Sequence, residues 1–395
     1  MVSIWRIRCK NGGSMKKILL VSDSFKGTMS SEEICSIMKS AIVKVFPETE
    51  VISIPVADGG EGSVDAFLSG LGGKKVEVKV KGPFFLDINS FFGLLSDGTA
   101  VIEMAVACGL PMVGNIRNPE RTTTFGVGQL IKHALDMGCK KIIIGLGGSA
   151  TNDGGCGAAA ALGVVFRDFE GQPFVPIGEN LKNIHSFDLS GVDGRLSTIP
   201  VLAMCDVDNP LCGENGAAAV FGPQKGADPE MVHRLDNGLW HLSRVVEDTI
   251  GRDLSKIGGA GAAGGMGFGV QAFFNAQIKM GIDVVLDTVD FNNLAKNADL
   301  VITGEGKLDT QSLRGKVISG VLRRANKAGA PVIAVVGDIG DGVDAIYDEG
   351  IKGVFSINRV AVPYEKAKLR AEQDLYLTVE NLMRYHKFLA EKRLP

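Results

Sequence analysis

Apolar and polar positions along the 395-residue chain switch between a short period and a helical one, and the order of the switches predicts an α/β fold. Residues 17–22 (KILLVS) form a short, continuous apolar run, the mark of a strand covered on both faces. Ser30, Ser31, Glu32 and Glu33 then offer a cap and early acids ahead of a helical spacing that lasts to about Val45. Residues 51–56 read as the next strand and 62–69 as the next helix, an order that predicts a parallel sheet. From about Val76 the pattern changes. Residues 76–80 (VEVKV) alternate strictly, and 100–104 follow a turn at Asp97-Gly98, as strands of a more antiparallel element do. The strand–helix order returns late, with strands at 300–303, 331–336 and 353–357, a helix at 312–328, and a long closing helix from Tyr364.

The simplest architecture is a parallel-sheet, Rossmann- or flavodoxin-like α/β domain built from both ends of the chain, 15–84 plus 286–395. A second, glycine-rich mixed α/β domain, 85–285, is inserted in it. Residues 1–14 carry Arg6, Arg8 and Lys10 without an apolar stretch, and Met15 opens a strand at once, so 1–14 read as an N-terminal extension or tag rather than a secretory signal.

Composition narrows the function classes. Glycine stands at 52 residues, well above the usual share of about 7%, with no Gly-X-Y period, so the glycines must serve turns and close backbone approaches. A net charge of −3 with no basic block argues against nucleic acid or an anionic membrane as partner. No run of 18 apolar residues occurs. Seven scattered cysteines without a C-x-x-C pair read as buried reduced thiols, and the expectation is a soluble cytoplasmic protein. The five histidines show no zinc spacing, and no G-x-S-x-G elbow, Walker A loop or protein-kinase motif is present.

The chemistry gathers where strands end, which is where open parallel sheets bind ligands. Asp23-Ser24-Phe25-Lys26-Gly27-Thr28 follows the first strand and Ala57-Asp58-Gly59-Gly60-Glu61-Gly62 the second. The strand at 300–303 runs into Gly304-Glu305-Gly306-Lys307-Leu308-Asp309-Thr310-Gln311-Ser312, and that at 331–336 into Gly337-Asp338. Asp and Gly are ordinary loop formers, but four such ends together suit Mg²⁺ on the carboxylates and phosphate on the lysines and free amides. A fifth segment, 140–162, leads a strand into Gly145-Leu146-Gly147-Gly148-Ser149-Ala150-Thr151 and then a small-residue helix expected from near Asn152, an anion cradle. Gly145, Gly147 and Ala150 with Asp168 also satisfy a loose dinucleotide fingerprint, weakened by Gly154, Gly155 and Gly157 in the helix that ought to follow. Residues 205–211 read as a turn alone or as an acid-bearing loop facing the cleft, and the rigid turn 221–226 offers Lys225 either as a functional lysine or as a plain turn residue. The stretch 258–269 (GGAGAAGGMGFG) reads either as a flexible interdomain loop, a hinge for closure, or as a close-approach surface against ligand.

Taken together, DSFKG at 23–27, PVADGGEG at 55–62, 145–155, FGPQKG at 221–226, and TGEG at 303–306 through Asp309, Gln311, Ser312, Gly315 and Lys316 resemble the bacterial glycerate kinases of the glycerate 2-kinase type. The likeness covers the chain from Met15 onward, in order. It implies an enzyme that uses ATP and Mg²⁺ to convert D-glycerate to 2-phospho-D-glycerate, with both substrates in an interdomain cleft. On that footing Lys26 and Lys316 would meet phosphate charge, and Arg314, with Ser24, Gln311 and Ser312, the glycerate. Gly147, Gly148, Ser149, Thr151 and Asn152 would cradle phosphates. Asp58, Asp206 or Asp309 would supply metal ligation and the base, with Asp309 favoured as base and Asp58 and Asp206 as ligands.

Rival readings are a kinase acting on the 3-hydroxyl or on another small hydroxy acid, a nicotinamide-dependent oxidoreductase resting on the 145–150 fingerprint, and a non-catalytic acid-binding module. The last would not need lysines and acids at four strand ends.

Overall fold

The computed structural model describes residues 15–56, 59–309 and 317–392. Its principal strands are β1 (Lys17–Ser22), β2 (Glu50–Pro55), β3 (Gly73–Lys81), β4 (Asp87–Leu95), β5 (Thr99–Glu103), β6 (Lys141–Gly145), β7 (Val201–Met204), β8 (Gln277–Lys279), β9 (Leu300–Gly304), β10 (Val332–Val336) and β11 (Val354–Ser356). Its principal helices are α1 (Ser31–Val45), α2 (Ser63–Leu71), α3 (Phe125–Asp136), α4 (Cys156–Ala161), α5 (Pro229–Ile250), α6 (Ala262–Phe274), α7 (Val317–Ala328) and α8 (Ala371–Glu391). The chain forms two compact units, one of them Asp58–Val284 and the other the stretches on either side.

In the flanking unit five strands pair in parallel in the order β11-β10-β9-β1-β2. Counted along this unit alone that is the 2-1-3-4-5 order of flavodoxin-like folds. β1 is an interior strand, paired on both edges, and its unbroken apolar run is covered: Ile18, Leu19, Leu20 and Val21 have no exposed surface. On α1 the apolar residues Ile34, Met38, Ala41, Ile42 and Val45 recur at three- and four-residue spacing, and they join Ile18, Leu20, Ile302, Leu375, Val379 and Met383 in one core. The start of α1 is fixed by a reciprocal cap. Glu33 N–H donates to Ser30 Oγ at 3.2 Å, and Ser30 N–H donates back to Glu33 Oε2 at 2.8 Å.

The contiguous unit carries a six-stranded sheet in the order β8-β7-β6-β5-β4-β3. β5 to β8 are parallel neighbours, while β4 pairs antiparallel with both β5 and β3. The boundary expected at 84/85 therefore shifts to 57/58. β3 pairs with β4 along its whole length, Gly73 opposite Leu95 to Lys81 opposite Asp87, so α2 and β3 belong to the contiguous unit. The alternation at 76–80 falls within β3, which pairs antiparallel with β4, as the alternating pattern predicts.

The cysteines follow the composition. Among the described residues all are free thiols, and five of the six are buried. No described helix is long and apolar enough to cross a membrane.

Ser30→Ala removes the cap of α1 and is expected to lower stability by about 1 kcal/mol, whereas Ser30→Asp keeps an acceptor and costs less. Urea unfolding of the two variants beside the parent checks the difference.

Candidate functional site

The flanking unit reverses direction between β1 and β9, since the chain leaves β1 for β2 on one side and β9 for β10 and β11 on the other. A crevice at the carboxyl ends of the strands is expected at such a point. Three loops meet there, 23–28, 305–309 and 337–341. Asp23 N–H donates to the Gly304 carbonyl at 2.9 Å, and Asp338 N–H donates to the Gly306 carbonyl at 3.0 Å. Their contact needs glycine, because a Cβ at Gly337 would stand 2.3 Å from the Gly306 oxygen. On this rim Lys26 and Lys307 are exposed, and Ser24 and Asp309 are half-buried. Ser24 N–H donates to Asp23 Oδ1 at 2.7 Å, which turns the loop sharply after β1. The structure thus brings Ser24, Lys26 and Asp309 to the ends of neighbouring strands. Asp58, Gln311, Ser312, Arg314 and Lys316 lie outside the described residues.

The contiguous unit has its own rim, formed by the ends of β5, β6 and β7. Loop 59–62 lies across it: Gly147 N–H donates to the Gly59 carbonyl at 2.9 Å. Here too the backbones touch, since a Cβ at Gly145 would fall 2.4 Å from the Gly59 oxygen and one at Gly147 2.7 Å from the Gly60 Cα. Glu103, at the end of β5, is buried and accepts the N–H groups of Gly62 and Val64 at the start of α2. Burial raises its pKa above the usual carboxylate range, against the lowering effect of those two donors. Its carboxylate thereby fixes the segment that follows Asp58. Asp206, beyond β7, is exposed and its Oδ1 accepts the Gly281 N–H at 2.7 Å.

The glycine turn after β6 divides into a surface and a buried layer. Gly148 is exposed and Gly147 half-buried. Ser149 retains 6% exposure, while Thr151, Asn152 and Asp153 have none. Thr151 and Asn152, expected in the cradle, thus lie beneath its lip and present no surface to a ligand. The Asp153 carboxylate accepts Thr124 N–H at 2.7 Å, Thr124 Oγ1 at 2.9 Å and Gly155 N–H at 3.1 Å. The helix expected from Asn152 starts only at Cys156, after Gly154 and Gly155 at φ of 63° and 76°. The strand-to-helix turn of a dinucleotide site is therefore missing. Asp168 closes a hairpin instead, accepting Glu170 N–H at 2.9 Å and Gln172 N–H at 2.8 Å.

The 258–269 stretch packs into the interior and runs into α6 from Ala262. Its glycines let α6 press against the turn, with a Cβ at Gly264 only 1.9 Å from the Thr151 oxygen and one at Gly269 2.5 Å from the Gly154 oxygen. Most of it is buried.

One residue under this turn was not among the expected site residues. Lys225 is 2% exposed, and its Nζ donates to Ser149 Oγ at 2.9 Å and to the Thr151 carbonyl at 2.8 Å. Burial pushes its pKa down to about 8, against the raising effect of Cys108 and Asp153. The signal in the sequence was a lysine in the rigid Gly222-Pro223-Gln224-Lys225-Gly226 turn. Nothing local showed that the turn points inward.

Between pH 8 and 10.5 the unfolded chain holds a proton on Lys225 that the folded chain has released, so this residue makes stability rise with pH over that window. Below about 8 both states are protonated and the cost of burying the ammonium is carried in full. Lys225→Met removes the effect. The stability of the variant relative to the parent should therefore fall by roughly 1.4 kcal/mol per pH unit across the window, as read by urea midpoints at pH 7 to 10.5.

The chain resembles known proteins along nearly its whole length. The model of the glycerate kinase family matches residues 18–387. A glycerate kinase of Bacillus cereus is 44% identical over 378 residues, covering 95% of this chain and 99% of that protein. The glycerate 2-kinase of Escherichia coli is 42% identical over 343 residues, covering 86% and 90%. A crystal structure from Salmonella typhimurium LT2, assigned there as a glycerate kinase 2, superposes with a TM-score of 0.85 at 40% identity over 96% of this chain and all of that one. Family match, relatives and fold agree with the resemblance carried by the strand-end motifs: the chain belongs to the glycerate kinase family and is a kinase.

Proposed function

We propose that the enzyme transfers the γ-phosphoryl group of ATP to the 2-hydroxyl of D-glycerate, giving 2-phospho-D-glycerate and ADP. The observation that carries the regiochemistry is the 42% identity over 343 residues to the glycerate 2-kinase of Escherichia coli. Phosphoryl transfer asks a protein for charge neutralisation, alignment of the attacking oxygen, and a place for its proton. The residue types on the two rims suit those tasks.

The glycerate hydroxyl oxygen attacks the γ-phosphorus as the bond to the β-phosphate oxygen breaks, and its proton passes to the Asp309 carboxylate. Lys26 and Lys316 offset the charge on the transferring group. Arg314 takes the substrate carboxylate through its planar guanidinium, and Ser24, Gln311 and Ser312 orient the hydroxyls. Gly147, Gly148 and Ser149 offer amides and a hydroxyl to the nucleotide phosphates.

Mg²⁺ bound with ATP would neutralise the phosphate oxygens. Among the described residues no three His, Cys, Asp or Glu side chains gather into a cage. A phosphate-bound Mg²⁺ needs only one or two carboxylates, so the exposed Asp206, together with Asp58, fits that donor set.

Incubation with D-glycerate, ATP and Mg²⁺, coupled directly to enolase, tests the reaction. Enolase consumes 2-phosphoglycerate and not its 3-isomer, so an immediate signal supports transfer to the 2-hydroxyl. A signal that appears only after a phosphoglycerate mutase is added overturns it in favour of the 3-hydroxyl, and no ADP release overturns glycerate as substrate. In the same assay Asp309→Asn is expected to lower kcat by about 10²- to 10⁴-fold with a smaller change in KM. Excess EDTA should abolish turnover, and added Mg²⁺ should restore it.

A further inference from the structure

The motif residue with no role so far is the lysine beneath the glycine turn. A buried ammonium is costly, and sequences retain one only where its donors are used or its charge is. Of the three N–H donors on Lys225, the Ser149 hydroxyl and the Thr151 carbonyl take two. Both acceptors lie in the segment that carries the exposed Gly148 and the half-buried Gly147.

The geometry of that contact has two consequences. Ser149 Oγ spends a lone pair on Lys225, so its own O–H is left to donate, and a hydroxyl that accepts from a cation is a stronger donor. The positive charge also stands under the turn in a setting from which water is largely excluded, where its field on an outer anion is little screened. The turn itself is braced on its other side. Leu110 N–H donates to the Gly148 carbonyl at 2.8 Å, and Ala150 N–H donates to the Cys108 carbonyl at 2.9 Å. The buried Asp153 carboxylate, whose charge acts on Lys225, takes its hydrogen bonds from Thr124, Gly155 and Gly157 rather than from the ammonium.

We infer that Lys225 is a positioning residue for nucleotide binding: through Ser149 and the Thr151 carbonyl it holds the Gly147–Ser149 turn in shape and supplies the fixed positive charge that makes the turn select the polyphosphate of ATP. The inference rests on the reading above that this turn receives phosphates. Lys225 itself touches no substrate.

The test compares Lys225→Met and Lys225→Arg with the parent, using the full chain. Calorimetry measures binding of ATP and of adenosine, steady-state assays give KM for ATP and for D-glycerate, and thermal melts report folding. The expected result for Lys225→Met is a loss of ATP affinity of at least tenfold, adenosine affinity within twofold, and a KM for ATP raised far more than that for glycerate. Lys225→Arg should recover part of the ATP affinity, because it restores the charge without the same fit.

A folded Lys225→Met that binds ATP as the parent does overturns the inference. So does an equal loss for ATP and adenosine, which marks a merely structural role, or a loss confined to glycerate. If Lys225→Met does not accumulate as folded protein, Lys225→Arg decides: a loss greater for ATP than for adenosine supports the inference, and an equal change for both, or none, overturns it. The proposed reaction fails separately, by absence of product from D-glycerate in the parent enzyme, and the ATP and adenosine titrations are read whether or not that happens.

Discussion

Backbone laid directly against backbone is the contact on which the rest of this molecule depends. Gly145 and Gly147 lie against Gly59 and Gly60, Gly264 against Thr151, Gly269 against Gly154, and Gly337 against Gly306, at separations that no Cβ fits. Each contact brings a loop at a strand end into register with a neighbouring segment. Dispersion at such short range and hydrogen bonds such as Gly147 N–H to the Gly59 carbonyl take the place of side-chain packing. The glycines are therefore structural at these positions, where a Cβ would collide with a neighbouring backbone.

Electrostatics adds a second layer. Glu103 and Asp153 are buried carboxylates whose pKa values are raised by burial, yet each is held by backbone N–H groups rather than by cations. Lys225 is a buried cation held by a hydroxyl and a carbonyl. Buried charges met by neutral dipoles fix loop geometry without creating ion pairs that an incoming anion would have to break. The amides at the start of α2 are spoken for by Glu103, so the contiguous unit withholds one anion site while leaving the turn after β6 open to solvent at Gly148.

Much of this was legible in the sequence, and where it was not the reason is physical. The ILLV run is an interior strand because apolar residues suit a strand covered on both faces, and Ser30 with Glu33 marks the start of α1 because the cap is local. The glycerate kinase resemblance came from motifs most of which follow strands, where the apolar pattern also pointed to ligand chemistry. The home of 59–81 was not legible, because pairing of β3 with β4 is a choice of partner rather than a local preference. Gly258 to Gly269 failed for a similar reason: a glycine that clears a path for another backbone looks in sequence like one that frees a hinge. Lys225 was visible as a lysine in a turn, but its burial depends on packing of distant segments. Thr151 and Asn152 lie a layer beneath the exposed Gly148, a depth that local sequence does not encode.

The strand order of the flanking unit also constrains how the protein is made. β1 must pair with β9, and Lys17 N–H reaches Asp299 Oδ2 across 282 residues of chain. While a ribosome is still extending the polypeptide, β1 lacks its partner β9, and the core of β1 and α1 lacks Leu375, Val379 and Met383 of α8, so apolar surface stays exposed until those late segments are made. The contiguous unit, by contrast, has its whole sheet in hand once Lys279 has emerged. Assembly is thus expected to run from the middle outward, with the earliest-made strand among the last to find its neighbour, and the N-terminal segment is where a nascent chain most needs protection from aggregation.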